Sequence, residues 1–249
     1  MWVKRLFTNR FSGQKSVTTQ TPIANNYDEF LKQASGFLKE RKYSDAAEYY
    51  TKALKYLPQS ISLHYARGIS YLAEANNVFD LEQKKLLTKK AVDDFSFVVA
   101  NNPDHADACR YIAFSYFNLD ADLYAVTYFI KAAKLYFHHL KYEKAIDCFE
   151  RALYIKEDSI DALNGVVMVY KNLKNREGTV EALVRLGQVY IDCGKYEAAS
   201  KIEALIKQSF PDVVSSKIGI DRKKMLDEIV LTDDDIDIDV DGDEDLGMG

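Results

Sequence analysis

Apolar residues recur along most of this chain at the spacing of a helix face. Between residues 27 and 60, Phe30, Ala34 and Phe37 fall at i, i+4 and i+7. After a polar break, Ala46, Tyr50 and Ala53 repeat the same spacing, and Pro58 ends the run. The small Ala34 and Ala46 let two helices approach closely, while Phe37 and Tyr50 fill the space beside them. The pattern predicts a packed helical hairpin. Only 11 Gly and 4 Pro occur in 249 residues, which argues against an all-β chain rich in turns. No apolar run reaches the ~18 residues of a membrane-spanning helix.

The hairpin pattern returns. Lys42-Tyr43-Ser44-Asp45-Ala46, Lys141-Tyr142-Glu143-Lys144-Ala145 and Lys195-Tyr196-Glu197-Ala198-Ala199 each end one helical pattern and start another, the last two 54 residues apart. In residues 27–60, Phe30, Ala34, Phe37, Tyr43, Ala46, Tyr50, Ala53 and Pro58 fall at the signature spacings of the tetratricopeptide repeat, which this stretch resembles. Residues 61–105 resemble it in two halves, Gly68 and Tyr71, then Ala91, Phe95, Val98 and Pro103, with 11 extra residues between them. Eleven residues are close to three helical turns, so they prolong the helices without rotating the apolar stripe. Asp80, three residues before Gln83, reads as the start of the lengthened second helix.

Further units fit from about 106 and 126, and again from about 160 and 180. A 20-residue offset is too short for two separate hairpins, so a helix over about 122–138 must serve both neighbours. The 54-residue period therefore predicts three-helix modules with a shared middle helix. Glu203 departs from the family pattern, which usually has an aromatic there. The resemblance implies an all-α, right-handed helical-hairpin solenoid, a superhelix over residues 27–209. Ile218, Ile220, Met225, Leu226, Ile229 and Val230 predict a capping helix within 210–231.

Charge divides the chain further. The formal net charge of -5 combines a neutral body with two biased ends. Residues 1–26 carry Lys4, Arg5, Arg10 and Lys15 and no acid; residues 232–249 carry nine acids and no base. The expected organisation is a flexible basic leader (1–26), the repeat array, the cap and a disordered acidic tail. A neutral body lacks the basic excess of a nucleic-acid binder, so none is expected as partner. Trp2, Val3, Leu6, Phe7 and Phe11 among the leader's bases allow a peripheral membrane contact or a transit segment. Asp237-Ile238-Asp239-Val240-Asp241-Gly242 copies the start of a calcium loop, but Met248 stands where the bidentate Glu belongs. Ile229 to Asp235 resembles a SUMO-interacting motif. The reading that needs least is a solvated tail. Lys84, Lys85, Lys89 and Lys90 form a basic patch on which that tail could dock.

Catalytic chemistry finds little support. Cys109, Cys148 and Cys193 form neither a zinc pattern nor a disulfide framework, and are expected as free, buried or half-buried thiols in a reducing cytoplasm. His64, His105, His138 and His139 belong to no metal-binding helix motif. Neither a phosphate loop nor a nucleophile elbow occurs. No enzyme activity, cofactor or metal is expected.

The resemblance instead implies a partner-binding groove lined by the first helices of successive units. Its positions map to Leu31, Leu38, Tyr65, Ile69, Leu72, Arg110, Phe114, Phe117 and Asn118. This apolar, aromatic stripe with one Arg suits a peptide with apolar anchors and an acidic contact. The family's carboxylate clamp for heat-shock chaperone tails is absent, its places holding Leu31, Ser35, Ala66, Asp107 and Tyr111. The expectation is an adaptor or scaffold, with a chaperone or targeting factor, or a regulatory subunit of an enzyme complex, as alternatives.

Overall fold

The computed structural model describes residues 22–211. Ten helices follow one another, and no strand occurs among the described residues. They are α1 (Pro22–Lys39), α2 (Tyr43–Leu54), α3 (Ile61–Asn77), α4 (Leu81–Asn101), α5 (Ala106–Asn118), α6 (Asp122–His138), α7 (Tyr142–Ile155), α8 (Ile160–Asn172), α9 (Arg176–Asp192) and α10 (Tyr196–Ser209). The fold is the expected all-α repeat of helical hairpins. The chain divides after Gly165 into two compact units, each described by itself. Helix α1 starts at Pro22, so residues 22–26, expected in the leader, are helical. The remaining leader, most of the cap and the acidic tail, with its calcium-like and SUMO-like motifs, lie outside the described residues.

In the first unit each helix packs on its successor through α7. Ala34, Ala46 and Ala53 have no exposed surface and meet Tyr50, Leu54 and Leu63 in one cluster. Phe37 and Tyr49 pack beside them, their ring centroids 5.3 Å apart. The extra residues of the second repeat lengthen both helices, to 17 in α3 and 21 in α4. The Asp80 carboxylate caps α4, accepting from the Gln83 N–H at 2.6 Å, as the sequence suggested.

The two triplets share one plan. Helices α5, α6 and α7 have 13, 17 and 14 residues, and so do α8, α9 and α10. Each start in the second triplet lies 54 residues beyond its counterpart. The turns repeat as well. Asp120 and Lys174 have positive φ, and so do Leu140 and Gly194, again 54 residues apart. Arg41 does the same after α1. Each turn is a Schellman closure. At the first, the Lys42 N–H donates to the Phe37 carbonyl at 2.9 Å and the Arg41 N–H to Leu38 at 3.2 Å. At the fourth, Asn175 donates to Tyr170 at 3.0 Å and Lys174 to Lys171 at 3.1 Å. Only one of the five left-handed positions is Gly, so the other four hold a strained backbone in place by hydrogen bonding and packing.

A buried ionic knot locks α3 to α4. Asp94, 3% exposed, accepts from Arg67 Nε at 2.8 Å and Nη2 at 2.7 Å. His64 Nδ1 lies 2.7 Å from the same carboxylate, and its Nε2 lies 3.0 Å from the Pro58 carbonyl. The His64 ring stacks on Phe97 at 3.9 Å, and Arg67 Nη1 donates to Thr51 of α2 at 3.2 Å. Every polar atom of Asp94 thus has a partner, as a carboxylate out of water requires.

Close packing between α7 and α8 depends on Gly165. A Cβ there would lie 2.1 Å from Phe149 Cζ, and Phe149 is fully buried. Gly165→Ala is expected to cost about 1–3 kcal/mol by overpacking. Leu140→Gly should act the other way. It relieves a left-handed residue at φ 58° whose side chain is exposed, and is worth about 1 kcal/mol. Thermal unfolding of the two variants should move the melting temperature in opposite directions; a shared direction would contradict this account of both sites.

Candidate functional site

Helix order decides which residues meet. Asp107 at the start of α5 reaches Tyr136 near the end of α6, so these helices run antiparallel. Arg110 and Phe114 of α5 face Lys144 and Arg151 of α7, so α5 and α7 lie side by side in one layer. Tyr65 of α3 joins the same layer, its ring 6.1 Å from Tyr111.

The polar centre of this layer is Asp107. It accepts from the Tyr136 hydroxyl at 2.6 Å, and that oxygen accepts in turn from Arg110 Nε at 3.2 Å. Lys144 Nζ lies 3.6 Å and Arg110 Nη2 3.7 Å from the carboxylate. Burial works against the charge on Asp107. The Tyr136 hydrogen bond and the cations of Lys144, Arg110 and Lys141 prevail, holding its pKa below the ordinary 3.8. Tyr136 is pushed the other way, by burial and by its bond to the carboxylate.

Next to this network stands an aromatic edge. Phe114 lies between two guanidinium groups, Arg151 at 4.8 Å and Arg110 at 5.6 Å from the ring centroid. Arg151 is held by Asp147 at 3.0 and 3.1 Å. Phe117, one turn further along α5, is 42% exposed. An open cleft of ≈ 230 Å³, lined by Arg110, Glu143, Lys144 and Asp147, lies between the two helices.

The nine groove positions read from the sequence fall into two sets. Leu31 and Leu38 are half-buried against the α1–α2 cluster. Leu72 is 8% exposed, inside a cluster with Ala91, Phe95 and Ile112, which removes it from any binding surface. Tyr65 and Ile69 pack half-buried on that cluster, and the Tyr65 ring also meets His105 at 4.8 Å. The long α4 and the stacked Phe95–Tyr111 pair draw these side chains inward. Arg110, Phe114, Phe117 and Asn118 come together on α5, at least partly exposed. Sequence reasoning missed Asp107 as a network centre, Tyr136, and Lys144, Asp147 and Arg151 of α7. It mapped groove positions only on first helices of units. The i, i+3, i+7 spacing of Lys144, Asp147 and Arg151 was the available signal.

The lysine patch stands on α4, outside the α3, α5 and α7 layer. Lys84 and Lys85 are half-buried on α4; Lys89 and Lys90 are exposed, with Lys90 Nζ 5.5 Å from the Tyr71 ring. Exposed Phe79, Leu81 and Leu86 stand on the same α3–α4 end. Cys109 and Cys148 are buried, and burial raises both thiols, Cys148 to about 12. Cys193 is exposed, contrary to expectation, because it caps the end of α9. His138 and His139 are exposed at the α6–α7 turn. Among the described residues, no helix is long and apolar enough to cross a membrane.

The described residues thus form a succession of helical hairpin repeats. Segments 126–159 and 180–202 match the model of the tetratricopeptide repeat. These segments coincide with the second, overlapping unit of each triplet. No curated protein sequence matches the chain. Similar solved structures include MamA, 17% identical over 70% of this chain and 96% of that one, with a TM-score of 0.38. The human IFIT1 dimer with PPP-AAAA is 21% identical over 74% of this chain and 48% of that one, with a TM-score of 0.42. YrrB, described as a TPR protein with an unusual peptide-binding site, is 16% identical over 73% and 98%, with a TM-score of 0.35.

The depressed Asp107 pKa has a stability consequence. Its contribution is complete above the ordinary value of 3.8 and is lost as pH falls through the lower, folded value. Asp107→Asn should lower stability at pH 7 and flatten the loss of stability below pH 3.8, read by urea unfolding across pH. Wild-type and variant curves with the same acid slope would remove the carboxylate from this role.

Proposed function

We propose that the protein is a non-catalytic adaptor that holds a segment of a partner protein against the layer formed by α3, α5 and α7. The observation that carries this reading is the Phe114–Phe117 edge of α5. A partly exposed aromatic pair, flanked by two positioned guanidinium groups and an open cleft, suits an apolar anchor with a neighbouring carboxylate. Asp107, Tyr136 and Asp147 hold the cations in place, so little side-chain freedom is lost on binding. Tetratricopeptide repeats as a class support protein interaction rather than catalysis. The buried Cys148, its thiol raised to about 12, stands beside this layer as packing rather than as a nucleophile.

Selection from a random peptide display library on the purified chain tests the reading. Enriched peptides should pair an aromatic or aliphatic residue with an acid. Their affinity should fall about tenfold or more for Phe117→Ala/Arg151→Glu, since anchor and charge contacts each carry more than 1 kcal/mol. Both side chains are well exposed, so the variant should keep its melting temperature within a few degrees. Enrichment that survives the double substitution would place binding elsewhere.

A further inference from the structure

The C-terminal unit contains a second cleft, of ≈ 390 Å³, with a different chemistry. Lys171, Lys174, Asn175 and Arg176 line it from the α8–α9 turn, and Phe210 and Pro211 from the end of α10. The cations are positioned. Lys174 occupies the left-handed turn position at φ 54°, and the Arg176 guanidinium lies 5.5 Å from the Phe210 ring centroid. None of the lining residues is acidic. Of the nearby acids, Glu177 is exposed in the first turn of α9, and Glu203 lies 2.7 Å from Lys207 on α10.

The described chain ends at Pro211, on the wall of this cleft, and 38 residues follow it. Nine acids and no base fall between Asp233 and Asp245. From Asp235 to Asp241, acids alternate with Ile236, Ile238 and Val240. An extended strand of this pattern puts four carboxylates on one side and three apolar side chains on the other. The cleft offers the same division, cations from the α8–α9 turn and an aromatic ring from α10.

We propose that this cleft binds an acidic strand with alternating apolar residues, and that its occupant is the chain's own segment 233–241. The 21 residues between Pro211 and Asp233 span up to about 70 Å, so the tether permits the return. A tether of this kind holds its end at about millimolar effective concentration, which lets individually weak charge contacts act together. The four lysines of α4 share the charge, but the cleft adds a concave surface, an apolar wall and membership of the unit from which the segment departs. A free acidic peptide gains access to the cleft only by displacing the segment.

The test compares the full chain with a chain ending at Leu231, using a fluorescein-labelled peptide of residues 232–245 and anisotropy. The shortened chain should bind the peptide, with affinity falling about tenfold between about 20 and 200 mM salt. The full chain should bind it about tenfold more weakly, because its own segment competes. Lys171→Glu/Lys174→Glu in the shortened chain should remove about tenfold in affinity without moving the melting temperature, both side chains being exposed. A peptide of the same composition with the alternation scrambled should bind about threefold more weakly. Equal binding by the full and shortened chains would overturn the proposal. So would indifference to the charge reversal, an equal response to the scrambled peptide, or a loss confined to Lys84→Ala/Lys85→Ala/Lys89→Ala/Lys90→Ala.

Discussion

Helices in this protein meet through alanine. Ala34, Ala46, Ala91, Ala125, Ala132 and Ala145 expose no surface at all. A methyl group at the line of contact lets two backbones approach closely, and the aromatic rings beside it then fill the flanking volume. Phe95, Phe129, Tyr136 and Phe149, each at most 2% exposed, fill that role. Where the approach is closest even a methyl is too large, and Gly68 and Gly165 take its place against Phe95 and Phe149. The polar networks form around this packing. Asp94 meets Arg67, and Asp107 meets Tyr136, because neighbouring helices already lie close and antiparallel.

Much of this was legible in the chain itself. The Ala–aromatic spacing of residues 27–60 marked the first hairpin, and the 54-residue echo marked the two triplets with their shared middle helix. The Asp80–Gln83 pair marked the start of α4. Local spacing and small-residue placement carry that information because each contact joins helices adjacent in the chain. The site was less legible. Arg110 belongs with Lys144 and Arg151, which lie two helices away, and only the alternation of antiparallel helices reveals that they share a layer. Leu72 looked like a groove residue until the lengthened α4 covered it. The left-handed turns at Arg41, Asp120, Leu140 and Lys174 carry no glycine to announce them. Their conformation is imposed by hydrogen bonding after the helices have packed.

The two ionic clusters of the first unit illustrate different uses of the same chemistry. Asp94 is enclosed and fully partnered, so its desolvation is compensated but not greatly exceeded by its contacts. Its contribution lies in register: a slip of α3 against α4 would leave a carboxylate without partners in an apolar interior. Asp107 is more open, with a side chain 27% exposed, and its partners Arg110 and Lys144 reach the surface at the cleft. There the carboxylate acts as an anchor for the cations that line the cleft.

The unequal placement of the three cysteines limits what oxidation can do to this protein. Cys109 and Cys148 are enclosed, with thiols held protonated by burial, while Cys193 stands in the open at the end of α9. A folded molecule therefore offers one thiol to the outside, a valence of one. Two molecules joined through that sulfur have no further reactive thiol to offer. Air oxidation of the native protein stops at a covalent pair, and longer disulfide-linked chains become a signature of molecules that have opened.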